Sequence, residues 1–224
     1  MQPGDTAMRV STLLFLASVA ISAGFAIVAA VRNDVAGYRL FKPLTTFIIL
    51  LGAAWLIQPA PSLYRGVIVL GLALSLAGDI LLMLPADRFL AGLVAFLLAH
   101  LAYGAAFSIG NPVGAGQIAW LLPFVALGTV ILGALWRGLG RYRLPLALYV
   151  AVIAAMAWRA AMRGQAPAIP RGTFLLALAG ACLFMLSDGV VAVRRFGRAF
   201  PGAQPVELAT YWAAQCLIAM SIRI

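Results

Sequence analysis

The stretch Tyr64-Arg-Gly-Val-Ile-Val-Leu-Gly-Leu-Ala-Leu-Ser-Leu-Ala-Gly-Asp-Ile-Leu-Leu-Met-Leu84 decides what kind of protein this is. A helix rises about 1.5 Å per residue and needs about 20 predominantly apolar residues to cross a bilayer. This run has that length, with an arginine at its start and one acid, Asp79, inside it. Seven more runs of the same kind surround it, over 8–31, 41–58, 88–109, 117–136, 144–162, 172–193 and 205–222. The breaks between runs include Gln58-Pro-Ala-Pro-Ser62, Pro85 with Asp87 and Arg88, Gly110-Asn-Pro112, Arg163-Gly164 and Pro201-Gly202, residues that end helices and make turns. The chain reads as all-α: a polytopic membrane protein with eight transmembrane helices in a single domain over residues 1–224. The apolar stretch from Val10 to Val31 exceeds the core of about 7–15 residues of a secretory signal, so it reads as a retained first helix.

Composition excludes the soluble classes. Of 224 residues, 64% are hydrophobic and 10% charged, against about 25% charged in soluble domains. The net charge of +10 comes from 16 basic and 6 acidic residues. Those basic residues sit mostly in short loops between apolar runs, which fits membrane orientation and anionic lipid, and does not point to nucleic acid. The first, third, fifth and seventh loops carry ten Lys or Arg against six elsewhere, which predicts those loops in the cytoplasm and both termini outside. The expected location is the bacterial inner membrane. Cys182 and Cys216 lie within apolar runs, with no CxxC or Cys/His cluster, so they read as small packing residues.

Polar residues inside the runs carry the functional reading. A charge at mid-bilayer costs about 2.5–3.5 kcal/mol on insertion scales, so such residues face the protein interior and mark sites. Asp79 and Asp188 each lie five residues from the end of their run, about 8 Å in, on helices running in the same direction. They are expected at one depth on one side of the membrane. A short likeness between Leu74-Ser-Leu-Ala-Gly-Asp79 and Phe184-Met-Leu-Ser-Asp188 is also consistent with parallel repeats. Lys42 opens the second run from that side, with Thr45 and Thr46 a turn deeper. Tyr149 enters the sixth, and Tyr211 and Gln215 form an i,i+4 pair in the eighth. Phe96, His100, Tyr103 and Phe107 share one helix face, and Ser75 precedes Asp79 by one turn. Packing accounts for a lone histidine, and snorkelling for Lys42, as readily as function does. The matched aspartates are the strongest pointer to a site.

Gly78-Asp79 followed by Phe89, Gly92, Phe96, His100 and Tyr103 resembles the signature of the YhhN family of membrane proteins. Lys42-Pro43, Tyr149 with Met156, Phe184 with Ser187-Asp188, and Tyr211 with Gln215 extend the resemblance over about residues 40–216. It implies an eight-helix fold and lysoplasmalogenase activity: hydrolysis of the vinyl ether of a lysoplasmalogen to a fatty aldehyde and glycerophosphocholine or glycerophosphoethanolamine.

The residues suit that chemistry. Protonating the vinyl carbon remote from oxygen generates an oxocarbenium ion, and water then adds to give a hemiacetal that collapses. The reaction needs an acid, a stabilising anion and a base for water, which glycosidases supply with two carboxylates. Of Asp79 and Asp188, one is expected to protonate and the other to stabilise, and either fits either role. His100 and Tyr103 are expected to position water or relay protons. Lys42 is expected to hold the lipid phosphate at the membrane surface, and Ser75, Tyr103, Tyr149, Tyr211 and Gln215 to contribute to the substrate site. No cofactor or metal is expected, since zinc hydrolases gather several histidines and this chain has one. No GxSxG elbow and no GxGxxG occur. The expected partner is a lysophospholipid within membrane lipids, and the sequence carries no sign of oligomeric state. The alternatives are a proton-coupled transporter, a hydrolase of another lysolipid and a non-catalytic lipid binder.

Overall fold

The computed structural model describes residues 3–56, 62–84, 88–112 and 114–222. The breaks expected at 58–61 and 85–87 lie outside the described residues. Eight α-helices follow in order: α1 Pro3–Val31, α2 Val35–Leu51, α3 Ser62–Met83, α4 Phe89–Ser108, α5 Leu122–Leu135, α6 Arg143–Met162, α7 Arg171–Phe196 and α8 Ala203–Met220. Among the described residues there is no strand.

Local chemistry explains where the helix ends depart from the apolar runs. α2 starts at Val35 rather than 41, because the side chain of Asp34 accepts the Gly37 N–H at 3.1 Å and caps the helix. Arg39 and Lys42, which look like loop residues by charge, are therefore helical. A π-helical turn, Gly52–Leu56, extends α2, and a 3₁₀ segment, Ala115–Leu121, leads into α5. α7 continues past 193 to Phe196, so Asp188 is set further from its helix end than Asp79.

The seven segments from α1 to α7 are long and apolar enough to cross a membrane. α8 is the exception, because Gln204, Glu207 and Gln215 lower its hydropathy. It is nonetheless enclosed: it packs along α7 and also touches α1, α2 and α3. Among the described residues there are therefore eight α-helices, seven of which lie in segments long and apolar enough to span. The helices close a ring in the order α1, α2, α3, α4, α6, α7, α8, while α5 packs mainly on α6 outside it. Only 11% of the α5 span is buried, against 44% of the α4 span.

Small residues bring the site helices close. A methyl group at Gly78 would meet the Phe96 ring at 2.6 Å, so α4 can press against the turn that carries Asp79. At Gly180 it would meet Ile218 Cγ1 at 2.8 Å and the Ala214 carbonyl at 3.0 Å, so α7 and α8 touch through their backbones there. Without water to drive apolar association, such contacts hold membrane helices together.

Candidate active site

α3 delivers Asp79, 1% exposed, into a ring of donors. Thr46 Oγ1 donates to its Oδ2 at 2.6 Å and the Tyr211 hydroxyl donates to the same oxygen at 2.8 Å. Lys42 Nζ lies 3.4 Å from Oδ1, which accepts no hydrogen bond of its own. Trp212 Nε1 donates to Thr46 Oγ1 at 3.3 Å and holds that hydroxyl in place. Three helices, α2, α3 and α8, thus converge on one carboxylate.

The other carboxylate has a different company. α7 presents Asp188, whose Oδ2 accepts the Tyr149 hydroxyl at 2.5 Å and lies 3.6 Å from His100 Nε2. Among the described residues neither ring nitrogen of His100 has a side-chain hydrogen-bond partner. Among the described residues Asp188 forms no ion pair with a lysine or arginine. Phe184 fills the space between the two groups, its ring 4.5 Å from His100 and 5.5 Å from Tyr211, both edge-on.

Both aspartates line one cavity of about 960 Å³, measured out to its mouth. Its polar wall is Lys42, Asp79, Tyr149, Ser187, Asp188 and Glu207 with Tyr211. The rest is apolar, with Ile131 from α5 and Leu146, Val150 and Ile153 from α6 forming a surface suited to an alkyl chain. Phe89 and Phe196, which stack edge-on with centroids 5.6 Å apart, also line it.

The expected site residues divide into two groups. Asp79, Asp188, Lys42, Tyr149 and Tyr211 share the cavity wall. His100, Ser75, Tyr103 and Gln215 do not; all four are buried. His100 reaches the cavity through Asp188 and through Tyr149, whose ring it meets edge-on at 5.2 Å. The Tyr103 hydroxyl donates to Gln215 Oε1 at 2.6 Å and lies 3.5 Å from Ser75 Oγ, tying α3, α4 and α8 together. Lys42 is only 5% exposed and turned toward Asp79.

Glu207, near the start of α8, also belongs to the site. Glu207 is 8% exposed, pairs with Arg194, accepts Ser187 Oγ on its carbonyl at 3.2 Å and lines the cavity. Its partner comes from α7, so only the pairing of α7 with α8 reveals it. Thr46 was visible as a polar residue in the right layer, but its bond to Asp79 depends on where α2 meets α3. Among the described residues, no group of three or more His, Cys, Asp or Glu could hold a metal ion.

Fold and site together define an all-helical integral membrane protein with an apolar, acid-bearing cavity. A family model described as the YhhN family matches residues 37–222. The membrane protein YhhN of Escherichia coli O157:H7, itself uncharacterized, is 31% identical over 92% of this chain and 96% of its own length. Lysoplasmalogenase TMEM86B of Homo sapiens is 35% identical over 78% of this chain and 70% of its own. Lysoplasmalogenase TMEM86A of Bos taurus is 34% identical over 80% and 72%. The chain belongs to the YhhN family. No solved structure matches it.

Proposed function

We propose that the protein is a lysoplasmalogenase, an ether-bond hydrolase that cleaves the vinyl ether of a lysoplasmalogen. The reading is carried by one observation: two carboxylates with unequal partners on the wall of a single apolar cavity. The relatives named lysoplasmalogenase support the reaction class. The spans and the Escherichia relatives are consistent with a bacterial inner membrane.

The unequal partners divide the labour. Asp79, beside an ammonium and two donating hydroxyls, is the anion. Asp188, with a neighbouring imidazole and phenol and no ammonium or guanidinium ion pair, carries the proton. Asp188 protonates the vinyl carbon remote from oxygen, and the C=C electron pair forms the new C–H bond. Positive charge then spreads over the adjacent carbon and the ether oxygen. Asp79, on the wall of the same cavity, supplies the negative charge that stabilises that cation. The ionised Asp188 takes a proton from water as its oxygen bonds to the carbocation carbon. Asp188 gives that proton to the glycerol oxygen as the hemiacetal C–O bond breaks and takes up the hemiacetal hydroxyl proton, leaving a fatty aldehyde, the glycerophospho alcohol and a carboxyl that is protonated again. His100, 3.6 Å behind Asp188, orients that carboxyl through these transfers.

Purified protein in detergent should release fatty aldehyde from a lysoplasmalogen with no gradient present. Substrate turned over only in sealed vesicles bearing a proton gradient would favour a carrier instead.

A further inference from the structure

A second recess opens at the same end of the bundle as the cavity, about 590 Å³ measured to its mouth. It lies where α1 ends and α2 and α8 begin, and its polar lining is Asn33, Asp34, Tyr38, Arg39, Lys42 and Gln204. Lys42 and Leu82 line both hollows, so the wall between them is about one side chain thick. On the cavity side of that wall stands Asp79, 3.4 Å from Lys42.

The two hollows differ in the way the two ends of the substrate differ. The cavity is apolar past its carboxylates, whereas the recess offers a guanidinium, an ammonium, a carboxylate, two amides and a phenol ring. A lysolipid carries an alkyl chain on one side of its glycerol and a phosphodiester with an amine on the other. Its cleavage products also part company, since an aldehyde dissolves in lipid and a glycerophosphodiester only in water. A chain in the cavity with its vinyl ether at Asp79 points its glycerol across Lys42 into the recess.

We propose that this recess is the head-group subsite, taking a zwitterionic glycerophosphodiester and releasing it to water after cleavage; this rests on the lysoplasmalogenase reading. Arg39 binds the phosphate through its planar fork of donors, with Lys42 contributing charge from behind. Asp34, exposed and already fixed by its bond to Gly37, faces the amine. The Tyr38 ring, which has Lys42 Nζ 5.9 Å from its centroid, offers a second surface for a cation.

Binding tests this independently of turnover. Full-length protein in detergent is titrated with glycerophosphoethanolamine, glycerol 3-phosphate and inorganic phosphate, and lysoplasmalogen is compared with 1-alkenylglycerol as substrate. Wild type should bind glycerophosphoethanolamine, and Arg39→Gln should weaken this at least tenfold while lowering selectivity for the phosphate-bearing substrate by a similar factor. Asp34→Asn, which keeps the helix cap, should weaken glycerophosphoethanolamine severalfold and leave glycerol 3-phosphate unaffected. Binding lost in Arg39→Gln, in a protein that cleaves no vinyl ether, would uphold the recess and defeat the catalytic reading. Vinyl-ether cleavage with binding and selectivity unchanged in Arg39→Gln would overturn the recess and leave the catalytic reading intact. Inorganic phosphate binding as tightly as the diester, with Asp34→Asn silent, would also overturn it, marking a general anion site.

Discussion

Asp79 and Asp188 are both aspartates in apolar helices, yet their neighbours make them different tools. On the proposed mechanism, Asp79→Asn removes the anion that stabilises the cation, while Asp188→Asn removes the transferable proton. General acid–base contributions run at about 10²–10⁴-fold, so each variant should lose at least 100-fold in kcat at normal expression. Loss below tenfold in both would return the pair to a structural role. Lys42 is bound up with Asp79 rather than standing free at the surface. Removing one partner of a buried ion pair costs about 3–5 kcal/mol, because the remaining charge has no counterpart. Lys42→Met should therefore lower the unfolding temperature in detergent, and Lys42→Met with Asp79→Asn should recover much of that loss. Additive losses would mean that the pair is not coupled. In activity, Lys42→Met should raise KM and also lower kcat, since Lys42 borders both the recess and the reacting carboxylate. The carboxylates, Lys42, Tyr149 and Tyr211 were legible because charge and hydroxyls are rare in these runs. Their pairings were not, since Lys42 meets Asp79, and Tyr149 meets Asp188, only after helices distant in sequence pack.

At the scale of elements, the runs were legible because crossing a membrane demands length and apolarity, and both can be counted along the chain. Neighbour relations were harder to read. α4 packs on α6, where a methyl at Gly104 would lie 3.7 Å from Met156 Cα, and leaves α5 outside, an arrangement that sequence order does not reveal. α8 shows the limit most clearly. Its polar residues serve the interior, where Tyr211 bonds Asp79 and Gln215 bonds Tyr103, so they weaken the signal of a span while building the site. If α8 crosses, an even number of spans puts both termini on one side. Reporter fusions after Arg143 and after Ile224 should then give opposite sides, with the Arg143 fusion cytoplasmic. Agreement between them would remove the eight-span topology. The contact of α7 with α8 makes its own prediction. Gly180→Val places branched carbon against Ile218 and the Ala214 carbonyl, and should separate the helices that carry Asp188 and Glu207. A lower melting temperature together with reduced activity is expected, whereas Gly172→Ala, with open space around its Cβ position, should change neither.

For the whole molecule, the decisive question is which bond the bundle breaks. The cavity can receive an alkyl chain whatever links it to glycerol, so an ester lysolipid with the same head group should bind comparably. Protonation at carbon, however, requires an alkene, and the ester has none. Fatty-acid release from the ester should therefore be undetectable while the vinyl ether yields aldehyde. Proton transfer to carbon is slow, so turnover should fall clearly in heavy water. Product release from a membrane site often limits kcat and would mask that effect. The isotope comparison accordingly belongs on kcat/KM, with a short-chain substrate that dissociates faster than it reacts. The pH dependence follows from the same step: a general acid works only while protonated, so kcat/KM should decline toward high pH as Asp188 loses its proton. Asp79 must remain ionised, and its loss of charge should set a second decline at the acid end. Fatty-acid release from the ester at a similar rate, with no solvent isotope effect, would identify an ordinary lysophospholipase and end the vinyl-ether mechanism.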